Sequence, residues 1–177
     1  IRISIQRARQ ELSAALTKEA LIAGADTAAL VENRIVTTGE TAEGGRLSAY
    51  STKPVPAFLY TNRSRNAAGE RAVKARAKKR GEMSYKEFRT VNGLNVAYKN
   101  LEFTGEMWQS FGVKEVRQIK FGVVQVTIGG KNTRTESLLG YHSERENTEI
   151  TAPNREEIRQ ISDGINKRLT QIIEKNV

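Results

Sequence analysis

The spacing of apolar residues over the first 35 positions predicts an amphipathic helix. Apolar side chains recur there every three or four residues, which places them along one helix face. Gly24 interrupts the pattern and Asp26 is a suitable N-cap for a resumed helix, so we predict one kinked helix or two helices in series. The stripe consists of Ile5, Ala8, Leu12, Ala15 and Leu16, then Leu30, Val31 and Ile35.

A second helical pattern closes the chain. Asn154 is followed three residues later by Glu157, which is the spacing of a capping box at a helix start. The apolar residues behind it keep a helical period, and they are Ile158, Ile161, Ile165, Leu169 and Ile172. A short polar helix is predicted over residues 133–146, and EITAP around Ile150 predicts a brief strand.

Between these helices the pattern is typical of β-strands. Residues 121–128 are rich in β-branched side chains and predict the strongest strand, paired with residues 113–119 through a turn near residues 118–120. Asn92-Gly93 predicts another turn, between SYKEFRTV and LNVAY as strands. Strands that are grouped apart from helices indicate an α+β fold. We expect a single domain over residues 1–177, with a small antiparallel sheet and the N-terminal and C-terminal helices packed on it.

Residues 37–80 lack a clear period and predict an extended loop or arm within that domain. Turn residues dominate TTGETAEGG, and Pro54 and Pro56 favour extended backbone at the residues before them. From residue 62 to residue 80 the chain is dense in Arg and Lys and poor in large apolar groups. This part predicts either a short solvated helix or a disordered arm, since it cannot bury enough surface to fold by itself.

Composition narrows the classes of partner. The chain has 177 residues, a formal net charge of +9 and a pI of about 9.9, which suggests a polyanionic neighbour. Nucleic acid, an anionic membrane surface and an acidic protein all fit that charge. The absence of cysteine excludes disulfides and thiolate zinc sites. No apolar run approaches the ~20 residues of a membrane span, and IRISIQRARQ is unlike a secretory signal, although the start at Ile1 rather than Met leaves room for upstream residues.

The sequence offers little for catalysis. His142 is the only histidine, and a polar helix residue is a simpler interpretation than a metal ligand. The GGKNT stretch follows a strand but lacks the first half of a phosphate-binding loop. Carboxylates sit beside basic residues, as Glu87 does near Arg89, which is typical of surface pairs. We therefore predict a protein that is not an enzyme, without catalytic residues, cofactor or metal.

The strongest surface feature is the basic run. Its side chains can neutralise phosphates, and each such contact makes binding more salt-dependent. Aromatic residues are absent from the run, which disfavours stacking on single strands. A merely solvated charged face explains the run equally well. The candidate interaction residues are Arg71, Lys74, Arg76, Lys78, Lys79 and Arg80.

The segment LEFTGEMWQSFGV contains the only tryptophan, Trp108. In a strand, Met107, Trp108 and Phe111 cannot all face one side under strict alternation. We expect one set to face the core and the other to face a neighbour, so these three are candidate packing or interface anchors. Trp108 is expected to pack against the C-terminal helix.

Several stretches, in order, resemble a known family. They are RGEMSYKEFRTVNGL at 80–94, NLEFTGEMWQSFGV at 100–113, the hairpin VKEVRQIKFGVVQVTIGG, and the closing NREEIRQISDGINKRLTQII. This order is similar to the tail-completion, or neck, component of long-tailed bacteriophages, which is related in pattern to virion morphogenesis proteins of contractile-tailed phages. The similarity covers roughly residue 35 to the C-terminus. ITAPN stands where family members often carry a Pro-Ala-Arg-Pro-Phe-like segment.

The resemblance implies a non-catalytic virion protein, assembled in the host cytoplasm, that forms a homo-oligomeric ring at the head–tail junction. Its implied partners are other neck, portal-side and tail proteins, with double-stranded DNA passing through the lumen and no membrane. The six basic residues would line the DNA path or contact an acidic surface of a neighbouring ring. Two alternatives remain open: a basic nucleic-acid-binding protein, and an enzyme whose site the sequence does not reveal.

Overall fold

The structure, a computed structural model, describes residues 2–102 and 105–176. It combines helices with antiparallel strands, which shows the predicted α+β class. Phe103 and Thr104 of the tryptophan segment lie outside the described residues, as do the side chains of Ile5 and Ala8. The elements are α1 Arg2–Thr38, β1 Pro54–Pro56, a 3-10 turn Ala57–Tyr60, α2 Ala67–Lys78, β2 Glu82–Ser84, α3 Tyr85–Val91, α4 Glu106–Gln109, β3 Phe111–Lys120, β4 Val123–Gly130, α5 Thr133–Glu146 and α6 Arg155–Asn176.

The first helix is continuous, so the predicted alternative of two helices in series is wrong. Gly24 is buried where β3 and β4 cross α1, and a Cβ atom there would lie 2.6 Å from Val126 Cγ1. The glycine therefore permits close packing of the helix against the hairpin instead of ending the helix. Asp26 is not an N-cap, because it lies inside α1 and pairs with Arg168 at 3.4 Å.

The strands form two separate two-stranded antiparallel sheets instead of one small sheet. In the larger sheet β3 pairs with β4, and the chain turns at residues 121–122, slightly later than predicted. One face of this sheet packs on α1. The C-terminal helix α6 packs along α1 instead of on a sheet, because two buried or half-buried ion pairs join them: Arg34 with Glu157 and Arg168 with Glu19. These pairs also show that α6 runs antiparallel to α1.

Three segments predicted as strands are not strands. One of them, LNVAY at 94–98, forms a loop with a bend. SYKEFRTV contains helix α3, because Ser84 and Glu87 form a capping box that starts a helix. The turn at residues 92–93 exists, but it follows this helix. EITAP forms turns, and its Ile150 is fully buried there. The predicted α5 is confirmed at Thr133–Glu146.

The predicted capping box at the last helix is confirmed by two hydrogen bonds. Asn154 donates its backbone N–H to Glu157 Oε2 at 2.7 Å, and Glu157 donates its own to Asn154 Oδ1 at 2.8 Å. The Glu157 carboxylate also pairs with Arg34, so the cap fixes the start of α6 against α1.

Buried apolar residues form two clusters. The first cluster joins α1, α4, β3 and α5 with the loops between them, and it contains Ala28, Val31, Ile35, Leu47, Met107, Trp108, Phe111, Leu139 and Ile150. The second cluster contains Ala57, Val73, Met83 and Phe88. Residues 54–80 are therefore not an extended arm. They fold back on α3, and Val73, an apolar residue of the basic run, is buried in the second cluster with 1% of its surface exposed.

Candidate interaction surfaces

The six basic candidates lie on or just after α2, and all six side chains are exposed. We call Arg71, Lys74, Arg76, Lys78, Lys79 and Arg80 the α2 basic surface. Two of them are paired: Lys74 with Glu70 at 2.6 Å, and Arg76 with Glu87 at 3.3 Å. Within the described part of the chain the other four have no carboxylate at ion-pair distance. They supply an uncompensated positive surface.

The α2 helix is anchored to the fold at its start and along its buried face. The Asn66 side chain accepts a hydrogen bond from Gly69 N at 2.7 Å, which caps the helix start. The same side chain donates to the backbone oxygen of Asn92 at 2.9 Å. Val73 anchors the opposite face in the second cluster. The helix alternative for the basic run is therefore the correct one.

The three candidate anchors are all buried together. Met107 and Trp108 lie on the short helix α4, and Phe111 begins β3. Strict strand alternation does not apply across a helix turn, so all three point into the first cluster. The Trp108 and Phe111 rings meet edge to face at 5.6 Å. Trp108 packs with α1 and α5 residues of that cluster, which corrects the expected packing against the C-terminal helix.

A second exposed feature is apolar and was not singled out from the sequence. Ile119, Phe121 and Val123 surround the β3–β4 turn and are 52%, 48% and 40% exposed. We call these three residues the hairpin-tip surface. The guanidinium of Arg9 lies 4.8 Å from the centre of the Phe121 ring. The sequence did contain a signal for this surface. Apolar residues occur at both odd and even positions near the turn, and consecutive strand residues point to opposite faces, so a single packed face cannot bury all of them.

The backbone edges of this hairpin are open. Neither β3 nor β4 pairs with a third strand among residues 2–102 and 105–176. Proteins usually protect such edges with charge, proline or a covering segment, because exposed edges pair with other chains. Here Glu115, Arg117 and Gln125 project from the exposed face.

A cleft of about 1000 Å³ lies between the two apolar clusters. Tyr60 and Tyr85 line it from the side of the second cluster, and Met107 lines it from the side of the first. Along its length runs one face of α5, with side chains three or four residues apart. The α5 residues of that face are Thr135, Leu138, His142 and Arg145.

Basic residues outnumber acidic ones in this cleft, which we call the basic cleft. It is lined by the basic residues Lys53, Arg89, Lys99, Arg134 and Arg145 and by the acidic residues Glu102 and Glu106. The carboxylates are engaged at the rim, where Arg134 pairs with Glu106 at 3.6 Å and Arg65 with Glu102 at 3.9 Å.

Arg89 is the most buried of these cations, with 1% of its surface exposed. Its guanidinium donates to the backbone oxygens of Asn95 and Glu102, at 3.0 and 2.6 Å, and to Asn100 Oδ1 at 3.1 Å. It also lies 4.1 Å from the centre of the Tyr50 ring. All of these partners are neutral, so the charge is solvated by dipoles and by a π face but is not cancelled.

Lys99 forms a buried ion pair with Glu146, and both side chains are almost inaccessible. Burial raises the pKa of Glu146, but hydrogen bonds from Lys99 and from Ser48 outweigh it and hold the pKa below its usual value. Next to this pair, burial and the positive charge of Lys99 lower the pKa of His142 to about 4. His142 is therefore neutral near pH 7.

The basic cleft was missed from sequence because its residues come from distant segments. Tyr50, Arg89 and His142 are separated by about forty to fifty positions and meet only in the folded chain. The local sequence pattern predicted that Arg89 and Glu87 form a surface pair. In the structure Glu87 instead caps α3 and pairs with Arg76.

Among the described residues no helix is long and apolar enough to span a membrane, and no group of three or more acidic or histidine side chains is placed to hold a metal ion. Comparison of the chain with protein-family models, with curated proteins and with solved structures gives no match.

Proposed function

We propose that this protein is a structural subunit that assembles with copies of itself into a ring. The specific form that its sequence resembles is the neck or tail-completion component at the head–tail junction of a tailed bacteriophage. The observation that carries the self-assembly is the β3–β4 hairpin, with its open backbone edges and the apolar hairpin-tip surface.

Strand addition is the contact that this hairpin favours. A neighbour's backbone can satisfy the unpaired N–H and C=O groups along β3 or β4, while apolar side chains at the tip are buried. If one copy's hairpin meets a different surface on the next copy, the contact is head-to-tail, and repeated rotation closes it into a ring. Burial of the three tip side chains contributes roughly 1–2 kcal/mol each.

A second surface supports association. The apolar stripe of α6 is only half-covered by α1: Ile161, Ile165 and Leu169 are half-buried, and Ile158 is 50% exposed. A helix that stays apolar along an incompletely covered face is suited to a further partner.

The α2 basic surface suits a role next to DNA or to an acidic neighbour. Its four unpaired cations can contact phosphates without reading sequence. In the proposed ring they line part of the DNA path or face an adjoining ring.

The test is the mass of the particle in solution together with its image by electron microscopy. The wild type is expected to form a discrete multiple of its 19.7 kDa mass that appears as a ring. The double variant Ile119→Asp, Val123→Asp is expected to remain monomeric and folded. The control is Leu59→Asp, which replaces an apolar side chain of similar exposure away from the hairpin. A wild type that stays monomeric at every concentration, alone or with phage neck and tail proteins, contradicts the proposal.

A dedicated nucleic-acid-binding protein is the second candidate, favoured by the four unpaired cations of the α2 basic surface. It predicts tight duplex binding whose logarithm falls steeply with the logarithm of salt concentration. The ring subunit predicts weak binding to DNA. Titration of a labelled duplex at two salt concentrations separates the two functions.

A further inference from the structure

We propose that the basic cleft binds an extended acidic peptide segment of a partner protein. The proposal goes beyond self-assembly and does not depend on it, because the cleft lies within one chain and away from the hairpin tip. It rests on the charge of the cleft, on its shape and on the mixture of side chains that line it.

The charge of the cleft favours an anionic occupant. Arg89 is buried with neutral hydrogen-bond partners only, and Lys53 and Arg145 at the rim have no carboxylate at ion-pair distance within the described residues. An acidic side chain in the cleft would be attracted by the two rim cations and by the positive potential of Arg89. The first turn of α5, at residues 132–135, also lines the cleft and adds the positive end of a helix dipole.

The shape requires an elongated occupant. From Thr135 to Arg145 the cleft follows α5 for about 15 Å, at 1.5 Å per helical residue. That length accommodates about four or five residues of extended chain at 3.3 Å each.

The lining indicates a peptide in preference to a bare polyphosphate. Tyr50, Tyr60, Tyr85, Leu101, Met107 and Leu138 place rings and aliphatic groups between the cations. A segment that alternates acidic and apolar side chains would satisfy both kinds of surface. The chain itself carries a net charge of +9, so an acidic partner complements this cleft better than a second copy of the chain does.

The experiment measures binding of a fluorescent synthetic peptide by anisotropy. The probe is a peptide of about eight residues in which glutamates alternate with leucine and tyrosine, a length that spans the cleft with a margin. The comparison peptide carries lysine in place of glutamate. The wild-type protein is expected to bind the acidic peptide and not the basic one.

Matched variants locate the site. The double variant Lys53→Glu, Arg145→Glu is expected to weaken binding about tenfold or more, since two attractive charges become repulsive. The control Arg71→Glu, Lys78→Glu makes the same change in net charge on the α2 basic surface and is expected to alter affinity less than about twofold. Equal losses in the two double variants would show non-specific attraction and overturn the proposal, as would no binding by the wild type.

Two further measurements distinguish a peptide site from a site that binds any anion. Leu138→Asn removes an apolar side chain from the cleft, changes no charge, and is expected to weaken binding of the peptide in a protein whose circular dichroism is unchanged. Duplex DNA and inorganic pyrophosphate are added as competitors. Displacement of the peptide by either one at equimolar concentration would identify a phosphate site and contradict the peptide proposal.

Discussion

Gly24 lies so close to Val126 that a Cβ atom at the glycine would stand 2.6 Å from the valine Cγ1. The same atom would stand 2.9 Å from Val113 Cγ2. Helix α1 and the β3–β4 hairpin therefore approach each other closely at the glycine, and the apparent helix breaker is a packing site in that interface.

We expect Gly24→Ala to destabilise the protein. Alanine would gain about 1 kcal/mol in helix propensity, but overpacking against stiff valine side chains costs about 1–3 kcal/mol. Urea unfolding followed by circular dichroism measures the difference. Gly140→Ala is the control, because a Cβ atom at Gly140 in α5 meets nothing within 4 Å. It is expected to stabilise by up to about 1 kcal/mol, and equal effects at the two sites would refute the packing argument.

Arg34 and Glu157 form a buried bridge between the end of α1 and the start of α6. The Nε–Oε1 distance is 2.8 Å, and the side chains are 6% and 7% exposed. Arg34→Ala leaves the carboxylate buried without its cation and is expected to cost about 3–5 kcal/mol in the free energy of unfolding. Chemical denaturation is the measurement.

The exposed pair Arg159 and Glu156 on α6 serves as the control for that change. Its atoms are also 2.8 Å apart, but its side chains are 70% and 55% exposed. Arg159→Ala is expected to change stability by less than about 1 kcal/mol. Similar losses for the two arginines would mean that burial does not decide the strength of these pairs.

Val73 ties the basic run to the fold. We expect Val73→Ala to destabilise by about 1–3 kcal/mol, because it opens a cavity among Ala57, Met83 and Phe88. Lys78→Ala on the exposed side of the same helix is expected to stay within about 0.5 kcal/mol of the wild type. Thermal unfolding of both variants compares them, and an unchanged melting temperature for Val73→Ala would indicate that α2 does not contribute to the core.

Burial and nearby cations lower the pKa of His142 from 6.5 to about 4 in the folded protein. The unfolded chain therefore binds more protons between those pH values, and stability falls as pH decreases from about 6.5 towards 4. Between pH 7 and pH 5 we expect a loss of about 1–2 kcal/mol that is absent in His142→Gln. Urea unfolding at the two pH values measures it. A folded-state NMR titration of His142 with its midpoint near 6.5 would contradict this.

Local sequence was sufficient where a structure is stabilised by neighbours in the chain. Helix α5, the capping box of α6 and the β3–β4 pairing were all predicted, because caps, turns and periodicity act over a few residues. The α3 helix was mispredicted as a strand although its capping box, Ser84 with Glu87, was present in the sequence. In that case a local signal existed, and the β-rich composition concealed it.

By itself, then, the sequence determined the α+β class, the helices α1, α5 and α6, the main hairpin and the positive charge of the α2 surface. Only the tertiary structure decided that Gly24 is a packing site, that Trp108 joins the core with Phe111, and that Arg89 is buried beside a cleft. The physical reason is distance along the chain. The burial of a side chain and the pairing of its charge depend on which distant segments come into contact, and local sequence patterns do not specify those contacts.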